Sequence, residues 1–406
     1  MSHKPALAVG LDVGSSYTRC VIARLGDGAV DTPSDNRFHC LGVGLVPSGG
    51  WTKGRITDHQ AVTECVAAAV REAEASAGAQ VESVVVGVGG LSVRGANNRG
   101  RWDLGRPREV TSKDIRSAMH RAMRIQLQED RMILQSLPQD FVVDDHPGFH
   151  DPRQMVGSTL EANAHIVTTS VLEHDALVGA INRAHVAVRE TVYEAVAAAY
   201  ACVLEEDRRD GVVMIDIGQH STELICYYGD SAQLVATLPI CGDHFSRDLA
   251  HALRIPVEAA SVVKEQFGSA ISEGTPESSF VELPSVDGTA RDAQRILVNR
   301  VLEARAKQLF EMVGMELAKF GMHRAIAGGL VICGGGALLP SICDVADGIL
   351  ECPVRKGLAQ GVLSWPDELQ DPTWTTVAGL AMYAARLRNH ANVAKQSSFA
   401  LSNLFR

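Results

Sequence analysis

"VVMIDIGQHSTELICYY", residues 212–228, decides the fold. An apolar run reaches Asp216 and Gly218, turns through polar residues, then runs apolar again. That pattern reads as two strands joined by a tight turn. A counterpart lies near the N-terminus, "LDVGSSYTRCVI", residues 11–22. Asp12, Gly14 and Thr18 match Asp216, Gly218 and Thr222. One copy alone reads better as an ordinary hairpin whose Asp-x-Gly satisfies turn chemistry. Two copies, one in each half of the chain, point to a duplicated architecture.

Each copy carries a binding rationale. A tight turn between strands aims backbone N–H groups into a concavity, and such nests bind anions. Glycine permits close backbone approach and φ > 0. An aspartate at a strand end can hold Mg²⁺ directly or through water. Two such turns facing each other would grip the phosphates of one nucleotide. The candidates are Asp12, Gly14, Ser15 and Ser16 in the first turn, and Asp216, Gly218 and Ser221 in the second. A third motif, "ICGGGALL" (332–339), ends a buried strand in Gly334, Gly335 and Gly336, where backbone can pass close to an adenine or ribose. The stretch 327–342 is expected to run strand, glycine turn, helix.

Composition bounds the rest. A chain of 406 residues suggests two to four domains or subdomains. Apolar residues at 46% and charged residues at 21% fit a globular protein with large cores. The net charge of −10 argues against general nucleic-acid binding. Nine cysteines are scattered without a CxxC pair, so buried thiols in a reducing compartment are expected. The N-terminal apolar run ends in Asp12, which argues against a signal peptide. No stretch approaches the ~20 apolar residues of a membrane-spanning helix. A cytoplasmic location is the expectation.

Along the chain, strands are expected at 6–13, 20–25, 38–46 and 81–90, and an Ala-rich helix at 56–78. Residues 91–164 differ in texture, with a basic stretch at 94–108 and a helix at 112–128, and suggest an inserted unit. Further helices are expected at 174–186, 192–207, 294–321 and 373–388.

The three glycine-bearing motifs, in this order, resemble those of the actin/Hsp70/sugar-kinase superfamily. Phosphate-1 would be 10–18, phosphate-2 215–223 and the adenosine motif 331–337. The resemblance implies a duplicated actin-like (ribonuclease H-like) α/β fold, its two halves around a nucleotide cleft. More of the chain resembles the FtsA family of bacterial division proteins. "LPQDFVVDDHPGFHDPRQMVGSTLEANAHIVT" (137–168) carries its pattern in Pro138, Asp151, Pro152, Met155, Gly157, Leu160, Glu161 and His165. "GLVPSGGWTKGRITD" (44–58) and "VLEARAKQLFEMV" (301–313) are also similar to segments of that family.

The family implies a layout. Residues 1–80 and 166–205, closed by helix 373–390, would form the first core, with a small α+β subdomain inserted at 81–165. Residues 206–246 and 325–372 would form the second core, 247–324 a small helical/β subdomain, and 391–406 an amphipathic tail. It also implies ATP and Mg²⁺ as ligands, self-association into filaments, and binding of the FtsZ C-terminal tail and other division proteins. The location implied is the cytoplasmic side of the membrane at the division site. Arg300, Arg305 and Lys307 on helix 294–321 would meet the acidic FtsZ tail, and a solvated basic face is the alternative. Leu401, Leu404 and Phe405 would lie in the membrane interface, unless the tail frays or docks on the body.

The chain departs from the family in the second turn, usually Asp-Ile-Gly-Gly-Gly-Thr. Gln219 and His220 replace two glycines, which is expected to strain φ > 0 positions and crowd a phosphate. His220 would add charge if protonated. Tyr17 stands where a lysine is often found. Lys264 remains for the adenosine, or else for a solvated helix face, but Ser261 replaces the glutamate that accompanies it. Glu194 would orient water or metal, or simply complement a helix dipole. The catalytic candidates are therefore Asp12, Glu194 and Asp216, with Mg²⁺ on Asp12 and Asp216. The combined expectation is ATP binding with slow or degenerate hydrolysis. A type IV pilus assembly ATP-binder and a small-molecule kinase of the same fold are the rival readings.

Overall fold

The computed structural model describes residues 7–25, 38–283, 291–323 and 325–396. Two sheets carry the architecture. The first has six strands in the order Ala187–Tyr193, Ser83–Val88, Leu7–Val13, Tyr17–Leu25, Phe38–Pro47 and Val362–Leu363. The second has five, in the order Ser231–Leu238, Thr222–Tyr228, Val212–Ile217, Leu330–Cys333 and Val354–Lys356. Each contains a three-stranded antiparallel meander whose first strand also pairs in parallel with a later strand. The internal repeat read from the two hairpins is thus a repeat of whole sheets. The registers agree as well, with Val13 opposite Thr18 and Ile217 opposite Thr222.

Small residues let helices close on these sheets. Helix His59–Ala77 starts at Asp58, whose side chain accepts from the Gln60 and Ala61 amides at 3.0 and 3.1 Å. It ends at Gly78, left-handed at φ 62°. Gly44 faces it so closely that a Cβ there would lie 2.0 Å from the Ala69 carbonyl oxygen. Helix Thr375–Gln396 lies on strand Leu7–Val13 and crosses helix Glu194–Cys202. A Cβ on Gly379 would sit 1.8 Å from the Ala197 carbonyl oxygen, so only glycine fits the crossing. One core runs through this half, with Leu11, Ile22, Val66, Tyr193 and Leu380 buried. A second, holding Ile215, Leu224, Leu309, Phe310 and Ile332, fills the other.

The inserted unit has its own sheet, in the order Arg94–Glu109, Val156–Ser170, Arg131–Val143 and His146–Phe149. Strand Ser83–Val88 belongs to the first sheet, so this unit starts after it rather than at 81. Its helix spans Ser112–Ala122 and stops short of 128. Ala118, Met119 and Ala122 are buried, whereas nothing from 123 to 130 is, so no packing repays a longer helix. After the three glycines the chain makes a 3₁₀ turn, Gly335–Leu338, and the α-helix begins only at Ile342. Helices Gly242–Leu253, Val257–Phe267 and Arg295–Lys319 build the smaller unit of the second half. No described helix is long and apolar enough to cross a membrane.

Candidate functional site: two facing turns and a carboxylate cluster

Both turns sit at the ends of buried strands. The matched threonines anchor them. Thr18 Oγ1 lies 2.8 Å from Ser48 Oγ, and Thr222 Oγ1 donates to the Ile240 carbonyl at 2.7 Å. Gly242 N and Asp243 N, opening helix Gly242–Leu253, donate to the Gly218 and Gln219 carbonyls at 2.9 Å each. The amides of Ser15, Ser16, Gln219 and His220 donate to no carbonyl among the described residues. They are left for an anion.

The turns meet across the cleft. Ser16 Oγ donates to Gln219 Oε1 at 2.7 Å. His220 abuts Gly54, where an added Cβ would lie 3.3 Å from its own. Neither Gln219 nor His220 has positive φ. The expected backbone strain is absent, because this turn closes without left-handed residues, and the two substitutions act through side-chain bulk alone. Burial lowers the His220 pKa, so the ring is mainly neutral at pH 7 and adds no cation to the turn.

Asp12 is buried and Asp216 partly so, and the Asp216 charge adds to the cost of ionising Asp12. Desolvation, then the Asp216 charge, lift Asp12 to about 6 against the opposing pull of Arg19. Arg19 Nη1 stands 3.9 Å from Asp12 Oδ2 and stacks over the Tyr17 and Trp374 rings at 5.3 and 5.6 Å. Burial raises Asp216 too, although its Oδ2 accepts from Thr376 Oγ1 at 2.5 Å.

Glu194, at the first turn of helix Glu194–Cys202, joins this cluster. Burial pushes it well above the carboxylate range, with Glu223, Asp12 and Asp216 adding to the push. Sequence reading missed Glu223. It is 3% exposed, lifted to about 8 chiefly by burial, and accepts from the Gly90 amide at 2.6 Å. A hydrogen bond with Glu194 favours protonated Glu194 and ionised Glu223, so Glu194 is the donor and the two carboxyls hold a proton between them. Gly89 makes room for both, since a Cβ there would lie 2.1 Å from Glu223 Oε1 and 2.2 Å from Glu194 Oε2. The signal for Glu223 was present: it is the one charged residue in the run "TELICYY". Arg19 and Thr376 carried no such signal.

The structure thus brings Asp12, Glu194 and Asp216 together. The glycine-rich loop splits. A Cβ on Gly334 (φ 78°) would sit 2.1 Å from Asp216 Oδ1, and one on Gly336 2.3 Å from Ile217 Cγ2. Only Gly335 faces open space, so two of the three glycines serve packing against the second turn. Lys264 is not a solvated side chain. Its Nζ donates to Ser246 Oγ at 3.0 Å, in the helix whose start holds that turn. Among the described residues no three His, Cys, Asp or Glu side chains are arranged to hold a metal, so Asp12 and Asp216 would leave most positions to water or phosphate.

The expected partner residues separate likewise. Arg305 is engaged by Asp248 at 2.6 and 2.9 Å, and Lys307 by Glu303 at 2.6 Å, which leaves Arg300 exposed. Leu401, Leu404 and Phe405 lie outside the described residues.

Comparison with known proteins bears on this site. Residues 90–168 match the family described as the SHS2 domain inserted in FtsA, and 213–379 match the cell division protein FtsA family. FtsA of Pseudomonas aeruginosa is 30% identical over 378 residues, 93% of this chain and 89% of that one. FtsA of Borreliella burgdorferi is 31% identical over 398 residues, covering 97% and 94%. Among solved structures, a PilM–PilN type IV pilus biogenesis complex is similar at TM-score 0.67 and 16% identity, covering 94% of this chain and 99% of that one. MreB5 of Spiroplasma citri bound to ADP is similar at 0.55 and 15%, covering 95% and 98%. At such identities these two likenesses are of the actin-like fold alone. The sequence likeness covers nearly the whole chain, including the inserted unit, and on it the chain belongs to the FtsA family of cell division proteins.

Proposed function

We propose that this chain is an ATP-binding division adaptor. ATP with Mg²⁺ would lie between the turns 10–18 and 215–223, with Gly335 beside the adenosine. The observation carrying this reading is the Ser16–Gln219 hydrogen bond of 2.7 Å, which sets two amide-bearing turns face to face over a carboxylate cluster. The donor chemistry fits a hard cation, since Asp12 and Asp216 lie together in the cleft and Arg19 is the one cation acting on both among the described residues. Bound Mg²⁺ would neutralise that charge and bind phosphate oxygens, with Asp12 and Asp216 holding it, in part through water.

Hydrolysis would be slow. A general base must be ionised to take a proton, and burial keeps Glu194 protonated. Gln219 must also swing away from Ser16 before phosphate enters. Nucleotide then acts chiefly on conformation and self-association. Membership of the division family supports the adaptor role, in which filaments of the chain link the FtsZ C-terminal tail to the cytoplasmic membrane face and recruit other division proteins. Of the three basic candidates, Arg300 forms no ion pair among the described residues and would serve as the anchor, with Arg305 and Lys307 released on binding.

Calorimetry with Mg²⁺ and ATP tests the nucleotide reading. Wild type is expected to bind and Asp216→Ala to fail, both melting as folded proteins. Absence of heat from folded wild type at millimolar ATP would leave a nucleotide-independent scaffold.

A further inference from the structure

We propose that the cationic hollow over Trp102, in the inserted unit, is a docking site for an acidic peptide segment of a partner protein. The hollow has a volume of about 510 Å³ and is lined by Trp102, Lys113, Arg116, His120, Arg121 and Arg124, with Ser117 between them. No carboxylate lines it. From 94 to 124 the chain carries nine Lys and Arg against three Asp and Glu, within a protein of net charge −10.

The charges are placed by the fold. Lys113, Arg116, His120 and Arg124 recur at helical spacing along Ser112–Ala122 and just beyond it, and all are exposed. The one carboxylate of this helix, Asp114, is buried and already taken. It accepts from Arg108 at 2.7 and 2.8 Å, from Thr111 Oγ1 at 2.5 Å and from Trp102 Nε1 at 3.0 Å. Lys113, Arg116 and Arg124 form no ion pair among the described residues.

Two groups are held ready. The indole of Trp102 is half-buried and fixed by its bond to Asp114, giving the hollow a flat apolar floor. The Arg121 guanidinium lies 4.7 Å over that ring, with Nη1 donating to the Arg101 carbonyl at 2.7 Å. A stacked, tethered guanidinium loses little freedom on taking a carboxylate. Carboxylates of an extended segment would meet the three free cations, with an apolar side chain on the indole.

Shape selects among polyanions. A bilayer surface is flat and cannot reach a recessed indole, and a nucleic-acid duplex is convex and repelled by the chain's net charge. An extended peptide enters a hollow. The site lies outside the nucleotide cleft, so its failure would leave the nucleotide reading untouched.

The test uses the full chain and a fluorescein-labelled octaglutamate, read by anisotropy at low salt, with octalysine as a control. Saturable binding of octaglutamate is expected, weakening as salt rises. Arg116→Glu with Arg124→Glu is expected to weaken it at least tenfold, and Lys113→Glu alone about threefold. Arg71→Glu, at an exposed position on helix His59–Ala77, is expected to change nothing. Melting temperatures establish that each variant is folded. Equal binding by wild type and the double variant overturns the proposal, as does no binding. So does retention of phosphatidylglycerol vesicles through Arg116 and Arg124 without peptide binding.

Discussion

The two turns share a backbone and differ in what stands across the strand from the aspartate. In the first hairpin Asp12 is paired with Arg19, and in the second Asp216 is paired with Glu223. The repeated position carries a cation in one half and a carboxyl in the other. The first half therefore offsets its buried charge within its own sheet. The second adds to its charge and must find relief elsewhere, through Thr376, a proton shared with Glu194, or a ligand cation. A duplicated fold supplies two equal frames, and the side chains across from the aspartates make the cleft chemically one-sided.

Breaking the second turn should have the largest effect. Asp216→Ala is expected to weaken Mg²⁺–ATP binding at least ~100-fold in calorimetry, on the order of the ~2.7 kcal/mol that such a change represents. Removing the cation of the first turn comes next. Arg19→Met leaves Asp12 with no opposite charge, and chemical denaturation should report a loss of about 2–3 kcal/mol. Undamaged stability would mean that Arg19 does not offset Asp12.

Sharpening the comparison calls for a smaller change. Gln219→Gly removes the side chain that bridges to Ser16 and should strengthen ATP binding about tenfold, or ~1.4 kcal/mol. Weaker binding would mean that Gln219 itself holds phosphate. The smallest effect is expected at Glu223. Its folded pKa, about 8, lies above its ordinary value of 4.5, so the unfolded chain ionises first as pH rises. The stability it contributes is full below pH 4.5 and is lost as pH climbs towards 8. Glu223→Gln still accepts from Gly90 and cannot ionise. Its melting point should exceed wild type at pH 8 and match it at pH 4.5. An equal shift at both pH values would point to packing instead.

Much of this was legible in the chain. The apolar runs ending in Asp12 and Asp216 gave both hairpins, because strand periodicity and turn chemistry are local properties. The inserted unit was recognisable by texture, yet its start was set too early. A buried strand such as Ser83–Val88 reads alike in whichever sheet it lies, and only pairing assigns it. Arg305 and Lys307 read as an open basic face until tertiary contacts brought Asp248 against the first and the helix geometry brought Glu303 against the second.

The sequence by itself determined the duplicated frame, the positions of both aspartates and the family, since these rest on spacing along the chain. Tertiary structure alone decided the chemistry of the cleft. Glu194 and Glu223 share a pocket because Gly89 has no side chain there, and Ser16 meets Gln219 because two sheets from opposite ends of the chain face each other. A carboxyl's ionisation depends on burial and on neighbours in space, and neither is written in the order of residues.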